Sequence, residues 1–254
     1  MKLGDFSELA KYYHSRPAYS EVMVEYILKI ANYQKGEEFS IADIGAGTGK
    51  MTMALKNTAS NAKIIAVEPN DEMRVQGQKN LPDIEFFAGS GEYTTLKDDS
   101  LNFVSMADSF HWPDHVKALA EFKRILKKGG YFCAIWRIRD VAKNPLTLDI
   151  ENSIKEMLPK VERIVPAKDW QEIITSTGDF KDCVYLQMPY CETMNKERYM
   201  DVWHSVNELQ ARAIEKGGEQ LWQDILSMIE NKISKVDEIQ NHYILKAYVA
   251  QSTK

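Results

Sequence analysis

The sequence predicts an α/β protein in which helices cover both faces of a seven-stranded, mostly parallel sheet, with a helical cap. In the first half of the chain, short apolar runs rich in β-branched and aromatic residues alternate with stretches of helical periodicity. Strands that alternate with helices imply right-handed βαβ crossovers, which build a parallel sheet. The 254 residues are 44% hydrophobic and 27% charged, an ordinary composition for a chain that buries a full core.

Seven segments are predicted to be strands. The first five are short, and some are nearly continuous apolar runs, as strands buried on both faces must be. We expect the last two, in the second half of the chain, to complete the far edge of the sheet. In order, the segments are 39–44, 63–68, 84–89, 101–107, 131–136, 183–188 and 243–250.

Helical periodicity predicts four helices in the first half of the chain. They cover residues 20–32, 50–57, 71–79 and 114–126. Gly129 and Gly130 follow the fourth helix and are expected to end it. Its buried face is predicted to consist of Val116, Leu119, Ala120, Phe122 and Leu126.

After residue 140 the pattern is mostly helical. The segments 145–158, 170–175 and 195–233 are predicted to form a cap over the carboxyl edge of the sheet. The expected organisation is one integrated domain with three parts. These are a lid segment and helix (1–38), a ligand-binding core (39–139), and the final strands with the inserted cap (140–254).

Composition argues against several classes of protein. The net charge of −5 disfavours a nucleic-acid partner, which favours a basic face. Cys133, Cys183 and Cys191 lack the spacing of a disulfide framework or a zinc site, so we expect reduced thiols. The first residues lack the apolar region of a secretory signal, and no stretch has the apolar length of a membrane span. The sequence therefore predicts a cytoplasmic protein that does not bind membranes, and it carries no signal for an oligomeric state.

A glycine-rich turn follows the first predicted strand and opens a helix. It reads Asp43-Ile44-Gly45-Ala46-Gly47-Thr48-Gly49, where side chains would block the turn and hold a ligand away from the backbone. The G-x-G-x-G spacing differs from the dinucleotide pattern G-x-G-x-x-G, and Asp43 before it suits a ligand with an ammonium group. Glu68 lies about 20 residues further on, where an acid accepts hydrogen bonds from ribose hydroxyls. A nucleoside joined to an amino acid describes S-adenosylmethionine.

These motifs resemble a known family. DIGAGTG (43–49) with VEPN (67–70) resembles motifs I and II of class I S-adenosylmethionine-dependent methyltransferases. Residues 108–132 are similar to the segment that follows the fourth strand in that family, together with the next helix and the fifth strand. The tripeptide FHW (110–112) and the opening YYHSRPAYS (12–20) resemble, more narrowly, small-molecule enzymes of the trans-aconitate methyltransferase-like kind. The resemblance implies a Rossmann-like fold and methyl transfer that yields S-adenosylhomocysteine.

The resemblance also implies which residues hold the cofactor. The loop residues Gly45, Ala46, Gly47 and Gly49 would lie against the methionine part, with Asp43 near its amino group. Glu68 would hold both ribose hydroxyls. The remaining cofactor residues are expected to be Tyr12, Arg16, Pro69 or Asn70 beside the adenine, Ser90, Gly91, Ala107, Asp108 and Trp112.

Three of these assignments have plain alternatives. Family members often have an acid or an amide where Ser90 stands, so Ser90 and Asp108 could simply be polar loop residues. Arg16 is expected to bind the methionine carboxylate with its planar fork, and the alternative is a solvated surface arginine.

His111 and Trp112 follow the fourth predicted strand, next to the expected position of the methyl group. His111 could act as a general base, or it could form a wall of the acceptor pocket with Trp112. His115, one turn further along the helix, is expected at the surface. The two histidines have a spacing that could bind a metal, but the sequence suggests no third ligand, so no metal is expected.

Acceptor binding is expected to involve the carboxyl edge of the sheet and the cap. Arg137 or Arg139 could bind an anionic group, or could be solvated loop charges. The other candidate acceptor residues are Tyr19, His111, Tyr190 and Trp203. The aromatic residues of the cap, including His204 and Trp222, could equally be plain core.

The predicted function is methyl transfer to an oxygen, a carboxylate or a hydroxyl, of a small organic molecule. A nitrogen or carbon acceptor and a noncatalytic module that binds the cofactor are the alternatives. Nucleic-acid methylation at an exocyclic nitrogen would favour an Asn/Asp-Pro-Pro-aromatic motif after the fourth strand. That position reads Asp108-Ser109-Phe110-His111, which argues against it.

Overall fold

The described strands form one sheet in the order β3-β2-β1-β4-β5-β7-β6. The computed structural model describes residues 7–159 and 168–254. The neighbours from β3 to β5 run parallel, within a sheet that is mixed overall. This confirms the predicted seven-stranded, mostly parallel fold. The strands are β1 Ser40–Ile44, β2 Lys63–Val67, β3 Glu85–Phe87, β4 Leu101–Ala107, β5 Leu126–Arg139, β6 Phe180–Asn195 and β7 Glu238–Ser252.

In the described chain, helices separate the first five strands except β3 and β4, which a loop joins, and helices fill most of the second half. They are α1 Glu21–Ile30, α2 Lys50–Thr58, α3 Asp71–Asn80, α4 His115–Ile125, α5 Pro145–Met157, α6 Trp170–Thr175, α7 Lys196–His204 and α8 Asn207–Ile233. Two 3-10 helices cover Ser7–Ser15 and Val141–Lys143. Within the described residues, none of these helices has both the length and the apolar character needed to cross a bilayer.

Side-chain caps set the beginnings of the helices around the sheet. Ser20, Asn70 and Asp114 each accept a hydrogen bond from the backbone N–H three residues further on, at the start of α1, α3 and α4. These bonds satisfy amide donors that the helix itself leaves without partners. Because the loops after β2 and β4 lead into capped helices, their backbone directions are fixed at the carboxyl edge of the sheet.

The described residues divide into two compact units. The sheet unit comprises residues 18–138, 168–188 and 245–254, and the helical unit comprises residues 7–17, 139–159 and 189–244. Each has its own apolar core. That of the sheet unit is centred on β1, β4, β5 and α4, whereas that of the helical unit joins α5, α7 and α8. Strands β6 and β7 contribute residues to both units.

The prediction that segment 170–175 belongs to the cap is wrong, because α6 is part of the sheet unit. The Trp170 ring stacks on Trp136 at 4.5 Å and lies 5.9 Å from the ring of Phe110. Its indole is buried among the aromatic residues of the sheet core. Periodicity shows that a helix has an apolar face, but it does not show which core that face joins.

Helix α4 ends at Ile125 and β5 begins at the next residue, so the strand is longer than predicted. The expected burial of Val116 and Ala120 is wrong: Val116 is 64% exposed, and Ala120 is exposed as well. The buried face instead includes Ala118, Leu119 and Phe122, because the helix starts at His115 and its phase follows from that start.

Segment 195–233 was expected to be one helical run. It divides into α7 and α8 at Ser205 and Val206, and α8 is interrupted at Gly218, whose φ is 72°. A left-handed residue cannot continue an α-helix, so Gly218 marks a kink.

Candidate functional site

The glycine-rich loop leaves β1 with its backbone in the left-handed region. Gly45 has a φ of 65° and Gly47 a φ of 57°, where a Cβ atom would strain the chain. A Cβ added to Gly45 would lie 2.9 Å from the Ser109 Oγ, so the fold itself requires glycine there. A Cβ added to Gly47 would meet no described atom within 4 Å. Gly47 therefore borders open space, as expected for backbone that a ligand approaches.

Glu68 holds this loop through its carboxylate. Its Oε2 accepts from the Gly47 N–H at 2.8 Å, and its Oε1 accepts from the Asn70 N–H at 2.9 Å. Glu68 is only 7% exposed, and burial raises its pKa, while the two backbone hydrogen bonds oppose that rise. An ionised carboxylate offers about four acceptor positions. Each oxygen of Glu68 thus retains capacity for a ribose hydroxyl.

Asp43 lies beneath the loop rather than on its surface. It is fully buried, its Oδ2 accepts from the Thr52 hydroxyl at 2.6 Å, and its Oδ1 accepts from the Ser105 hydroxyl at 2.9 Å. Burial raises the pKa of Asp43 to about 6. Both oxygens are engaged by the Thr52 and Ser105 hydroxyls, and the expected position of Asp43 near a ligand ammonium stays a prediction.

The loop after β3 packs against the beginning of α4. The backbone of Ser90 exchanges hydrogen bonds with Tyr93, and Glu92 accepts from the Asp114 N–H at 3.0 Å. A Cβ on Gly91 would lie 3.2 Å from Pro113. These contacts fix the loop at the carboxyl edge of the sheet. Contacts of Ser90 and Gly91 with an adenine stay a prediction, as does that of the exposed Pro69.

The structure brings together Asp108, Arg137 and Tyr19, which the sequence assigned to different ligands. Asp108 accepts from the Arg137 backbone N–H at 2.9 Å, from its Nε at 2.9 Å and from its Nη2 at 2.7 Å. The Tyr19 hydroxyl donates to the same carboxylate at 2.8 Å, and the guanidinium lies 4.2 Å from the Tyr19 ring centre. Burial would raise the pKa of Asp108, but Arg137 and the hydrogen bonds hold it below its usual range.

This cluster changes the interpretation of Arg137. Its side chain is only 7% exposed, and its Nε and Nη2 both donate to the same oxygen of Asp108, Oδ2. Arg137 is therefore not a solvated loop charge, which was one of the two alternatives, and its binding of an anionic acceptor group stays a prediction. Asp108 itself has a φ of 51°, at the end of β4. Ala107, the last residue of that strand, is partly exposed.

His111 is largely buried and neutral at physiological pH. Burial lowers its pKa to about 4, helped by Lys168 and His115 and opposed by Asp108. The Trp136 Nε1 lies 3.4 Å from the His111 Nδ1 and donates to it. The ring of Trp112, which is 44% exposed, lies 4.9 Å away. A group with so low a pKa is a poor proton acceptor at neutral pH, so the lowered pKa favours the pocket wall over the base.

His115 is tucked against the sheet unit more closely than a surface residue. Its Nε2 lies 3.1 Å from the Phe110 carbonyl oxygen, and its ring meets Trp170 edge-on. Across residues 7–159 and 168–254, no three or more His, Cys, Asp or Glu side chains are grouped to bind a metal.

Two predicted cofactor residues lie in the helical unit. Arg16 donates from Nε to the Ser205 hydroxyl at 2.9 Å and from Nη2 to the Ser205 carbonyl at 2.8 Å. Tyr12 stacks on His204 with ring centres 4.7 Å apart. Both residues tie the Ser7–Ser15 helix to α7. Their contacts with a cofactor stay predictions, and the fork of Arg16 already has a partner in this unit.

The aromatic residues predicted for the acceptor pocket are mostly core residues of the helical unit. Trp203 and Trp222 are each 2% exposed and belong to one apolar cluster. Both rings follow the core alternative that the sequence left open, and a role of Trp203 toward an acceptor stays a prediction. Arg139 lies 4.0 Å from the Trp203 ring centre and pairs with Glu151 at 3.5 Å. Tyr190 donates to Glu192 at 3.3 Å, and its role toward an acceptor stays a prediction.

Sequence reasoning missed Trp136 and Ser109. Trp136 ends the apolar run of β5 and looks like a core residue, yet its indole N–H reaches His111. Ser109 lies beneath Gly45, and its hydroxyl donates to the Ile44 carbonyl at 3.4 Å. No spacing in the sequence indicates either contact, since each joins segments that are distant along the chain.

Comparison with known proteins shows what this part of the chain is similar to. Residues 42–134 match the family described as a methyltransferase domain. An uncharacterized methyltransferase of Mycobacterium bovis is 31% identical over 140 residues, which are 55% of this chain and 54% of that protein. An uncharacterized methyltransferase of Schizosaccharomyces pombe is 27% identical over 252 residues, covering 96% of this chain and 95% of the relative. The match to the mycobacterial protein thus spans about half of its length.

Solved structures share the fold. A protein of Anaeromyxobacter dehalogenans proposed to be a type II methyltransferase superimposes with a TM-score of 0.64 at 15% identity, over 93% of this chain and 97% of its own. The YcgJ protein of Bacillus subtilis gives a TM-score of 0.53 at 17% identity, over 91% and 99%. Residues 42–134, which include the Gly45–Gly49 loop and Glu68, are thus similar to a methyltransferase domain, and the solved structures share the fold of the chain.

Proposed function

We propose that this protein transfers the methyl group of S-adenosylmethionine to an oxygen of a small organic molecule and releases S-adenosylhomocysteine. The observation that carries the proposal is the pairing of the Gly47 loop with Glu68. Open space beside Gly47 and a buried carboxylate with remaining acceptor capacity are the features that an amino-acid group and a ribose need. The residues present therefore fit this cofactor.

Each part of the edge has a proposed task. The Gly45–Gly49 backbone lies along the methionine part, and Glu68 accepts from the ribose hydroxyls. Pro69, Ser90 and Gly91 border the adenine, while the end of β4 at Ala107 faces the methionine ammonium. When bound, S-adenosylmethionine supplies an electrophilic methyl group on a sulfonium ion. The chain contributes alignment and exclusion of water, which are the main needs of an in-line displacement.

The state of His111 supports an oxygen acceptor, and in particular a carboxylate. A carboxylate is ionised at neutral pH and needs no base, whereas an ammonium group must first lose a proton. His111, with its pKa lowered to about 4, is ill suited to remove one. The net charge of −5 and the Asp108-Ser109-Phe110-His111 sequence support a small acceptor rather than a nucleic acid.

The test is transfer of labelled methyl from S-adenosylmethionine into a fractionated extract of small metabolites, with mass spectrometry of each labelled product. An alkali-labile methyl ester or a stable methyl ether supports the proposal. Label on nitrogen or carbon overturns the oxygen assignment. Cofactor binding by calorimetry without any labelled product would instead indicate a noncatalytic binding module. Gly47→Val serves as the control that has lost the cofactor site.

A further inference from the structure

We infer that His111 recognises the acceptor as a neutral hydrogen-bond donor through Nε2–H, in a tautomer fixed by Trp136, and that the acceptor group is a carboxylate. One carboxylate oxygen takes the methyl group while the other accepts from Nε2–H. The part of this inference that concerns the acceptor rests on the proposed function. The part that concerns the tautomer rests on the structure alone.

The first step is the direction of the hydrogen bond between Trp136 and His111. An indole Nε1–H can only donate, so the His111 Nδ1, at 3.4 Å, must accept. Trp136 is 3% exposed and stacks on Trp170 at 4.5 Å with 25° between the rings. Tyr248 meets it edge-on at 6.1 Å. These contacts hold the indole, so the N–H keeps its direction toward His111.

The second step is the position of the proton. A neutral imidazole has one protonated and one unprotonated nitrogen, and the hydrogen bond at one nitrogen sets the state of the other. Because Nδ1 accepts from Trp136, the proton of His111 lies on Nε2. The charged and titratable groups that act on this ring are Asp108, Lys168 and His115. Burial, Lys168 and His115 favour the neutral form at pH 7, and they outweigh Asp108, which favours the charged form.

The third step is the place of His111 in the fold. It stands four residues after the end of β4, at the carboxyl edge where parallel sheets bind their ligands. A neutral donor at this edge orients a carboxylate without protonating it, so the oxygen keeps its nucleophilic lone pair. An imidazolium would lower that nucleophilicity and would repel a sulfonium ion. The neutral tautomer of His111 with its proton on Nε2 therefore suits a reaction between an anionic acceptor and a cationic methyl donor.

Nitrogen NMR of the whole protein, without any substrate, tests whether His111 is held in the tautomer with its proton on Nε2. Protein with ¹⁵N-labelled histidine is observed at pH 7 through long-range proton–nitrogen couplings, and the His111 signals are assigned by their loss in His111→Gln. We expect a protonated Nε2 and an unprotonated Nδ1. Trp136→Phe should give a mixture of tautomers, whereas His115→Gln should leave the His111 signals in place. A protonated Nδ1 in the wild type overturns the inference, whether or not Trp136→Phe folds.

The acceptor role is tested by methyl transfer into the same metabolite extract. In His111→Gln the new side-chain amide reaches the position of Nε2, whereas the shorter amide of His111→Asn remains near that of Nδ1. We expect His111→Asn to lose on the order of tenfold more kcat/KM than His111→Gln, with the S-adenosylmethionine Kd of both variants within about twofold of the wild type. Equal losses overturn the donor role. An absence of product with the wild type overturns the proposed function and the acceptor role, while the NMR result still decides the tautomer.

Discussion

Arg137 contacts Asp108 from two directions, with its backbone N–H at 2.9 Å and its guanidinium Nη2 at 2.7 Å. The two residues leave the ends of the neighbouring strands β4 and β5, and the Asp108 N–H donates to the Ile135 carbonyl at 2.8 Å. Asp108 adopts a φ of 51°, which costs about 1–2 kcal/mol in a residue with a Cβ atom. The hydrogen bonds from Arg137 and Tyr19 offset that cost. The chain therefore turns at this point into the segment that carries His111.

Removal of this ion pair should destabilise the sheet unit. Breaking a buried pair by removing one partner costs about 3–5 kcal/mol, so we expect Arg137→Met to lose an amount near the lower end, because Asp108 is 24% exposed. Tyr19→Phe removes a single hydrogen bond to a charged group and should cost about 1.5–3 kcal/mol. Urea unfolding measures both values. If Arg137→Met were as stable as the wild type, the ion pair would not support this edge.

Loss of the Glu68 carboxylate should weaken cofactor binding. Glu68→Ala removes the acceptor for the ribose and also releases the Gly47 N–H. A charged hydrogen bond is worth about 1.5–3 kcal/mol, so we expect the S-adenosylmethionine Kd to rise by roughly tenfold to a hundredfold. Glu68→Gln keeps the size of the side chain, and its S-adenosylmethionine Kd should lie between those of the wild type and Glu68→Ala. Calorimetry that gave the wild-type Kd for a folded Glu68→Ala would contradict the proposed site.

A side chain at Gly47 should abolish cofactor binding while the protein still folds. The Cβ of Gly47→Val would meet no described atom within 4 Å, so it would fill the space proposed for the ligand. The φ of 57° adds a strain of about 1–2 kcal/mol. Gly36→Ala is the matched control, because Gly36 has a φ of 98° and equally open surroundings. We expect both variants to lose stability and only Gly47→Val to lose binding, as thermal unfolding and calorimetry would show.

Asp43 should make the protein less stable as the pH rises from about 4 to about 6. Its folded-state pKa of about 6 exceeds the ordinary value of 3.8, so in this window the folded state holds a proton that the unfolded state has released. The free energy of unfolding falls as that proton is lost, by about 3 kcal/mol for two pKa units. Asp43→Asn lacks this titration.

The measurement is the difference in unfolding free energy between wild type and Asp43→Asn at pH 4 and pH 7. We expect the difference to shift toward the variant by about 2 kcal/mol between these values, because the unfolded carboxyl is already more than half ionised at pH 4. Other carboxylates titrate in both proteins and cancel in the comparison. A difference that stayed constant would show that Asp43 has an ordinary pKa.

Much of the fold was predictable because it depends on local pattern. The strand and helix periods between residues 39 and 136 indicate the strands β1 to β5 and their parallel direction, and the glycines with Glu68 mark the edge proposed to bind the cofactor. In each case the physical requirement acts within a few residues, such as a turn without Cβ atoms or a strand buried on both faces. The two late strands were also found, although they extend further than their apolar centres.

The acceptor side was predicted less well, because its contacts join distant segments. From the sequence, Arg137 near the end of β5 was a candidate to bind an anionic acceptor group. In the structure, the turn at Asp108 places the carboxylate of Asp108 against the Arg137 guanidinium. His111 could be a base or a wall until the position of Trp136 and the burial of the ring were known.

The sequence by itself determined the α/β class, the order of the core elements along the chain and the position of the glycine-rich loop, since these follow from periodicity and backbone sterics. Only the tertiary structure decided that Asp43 faces the core, that Trp170 packs in the sheet unit and that Trp136 meets His111. Burial and hydrogen-bond partners depend on which surfaces the folded chain brings together. A side chain's charge state and role follow from those partners, and no local pattern specifies them.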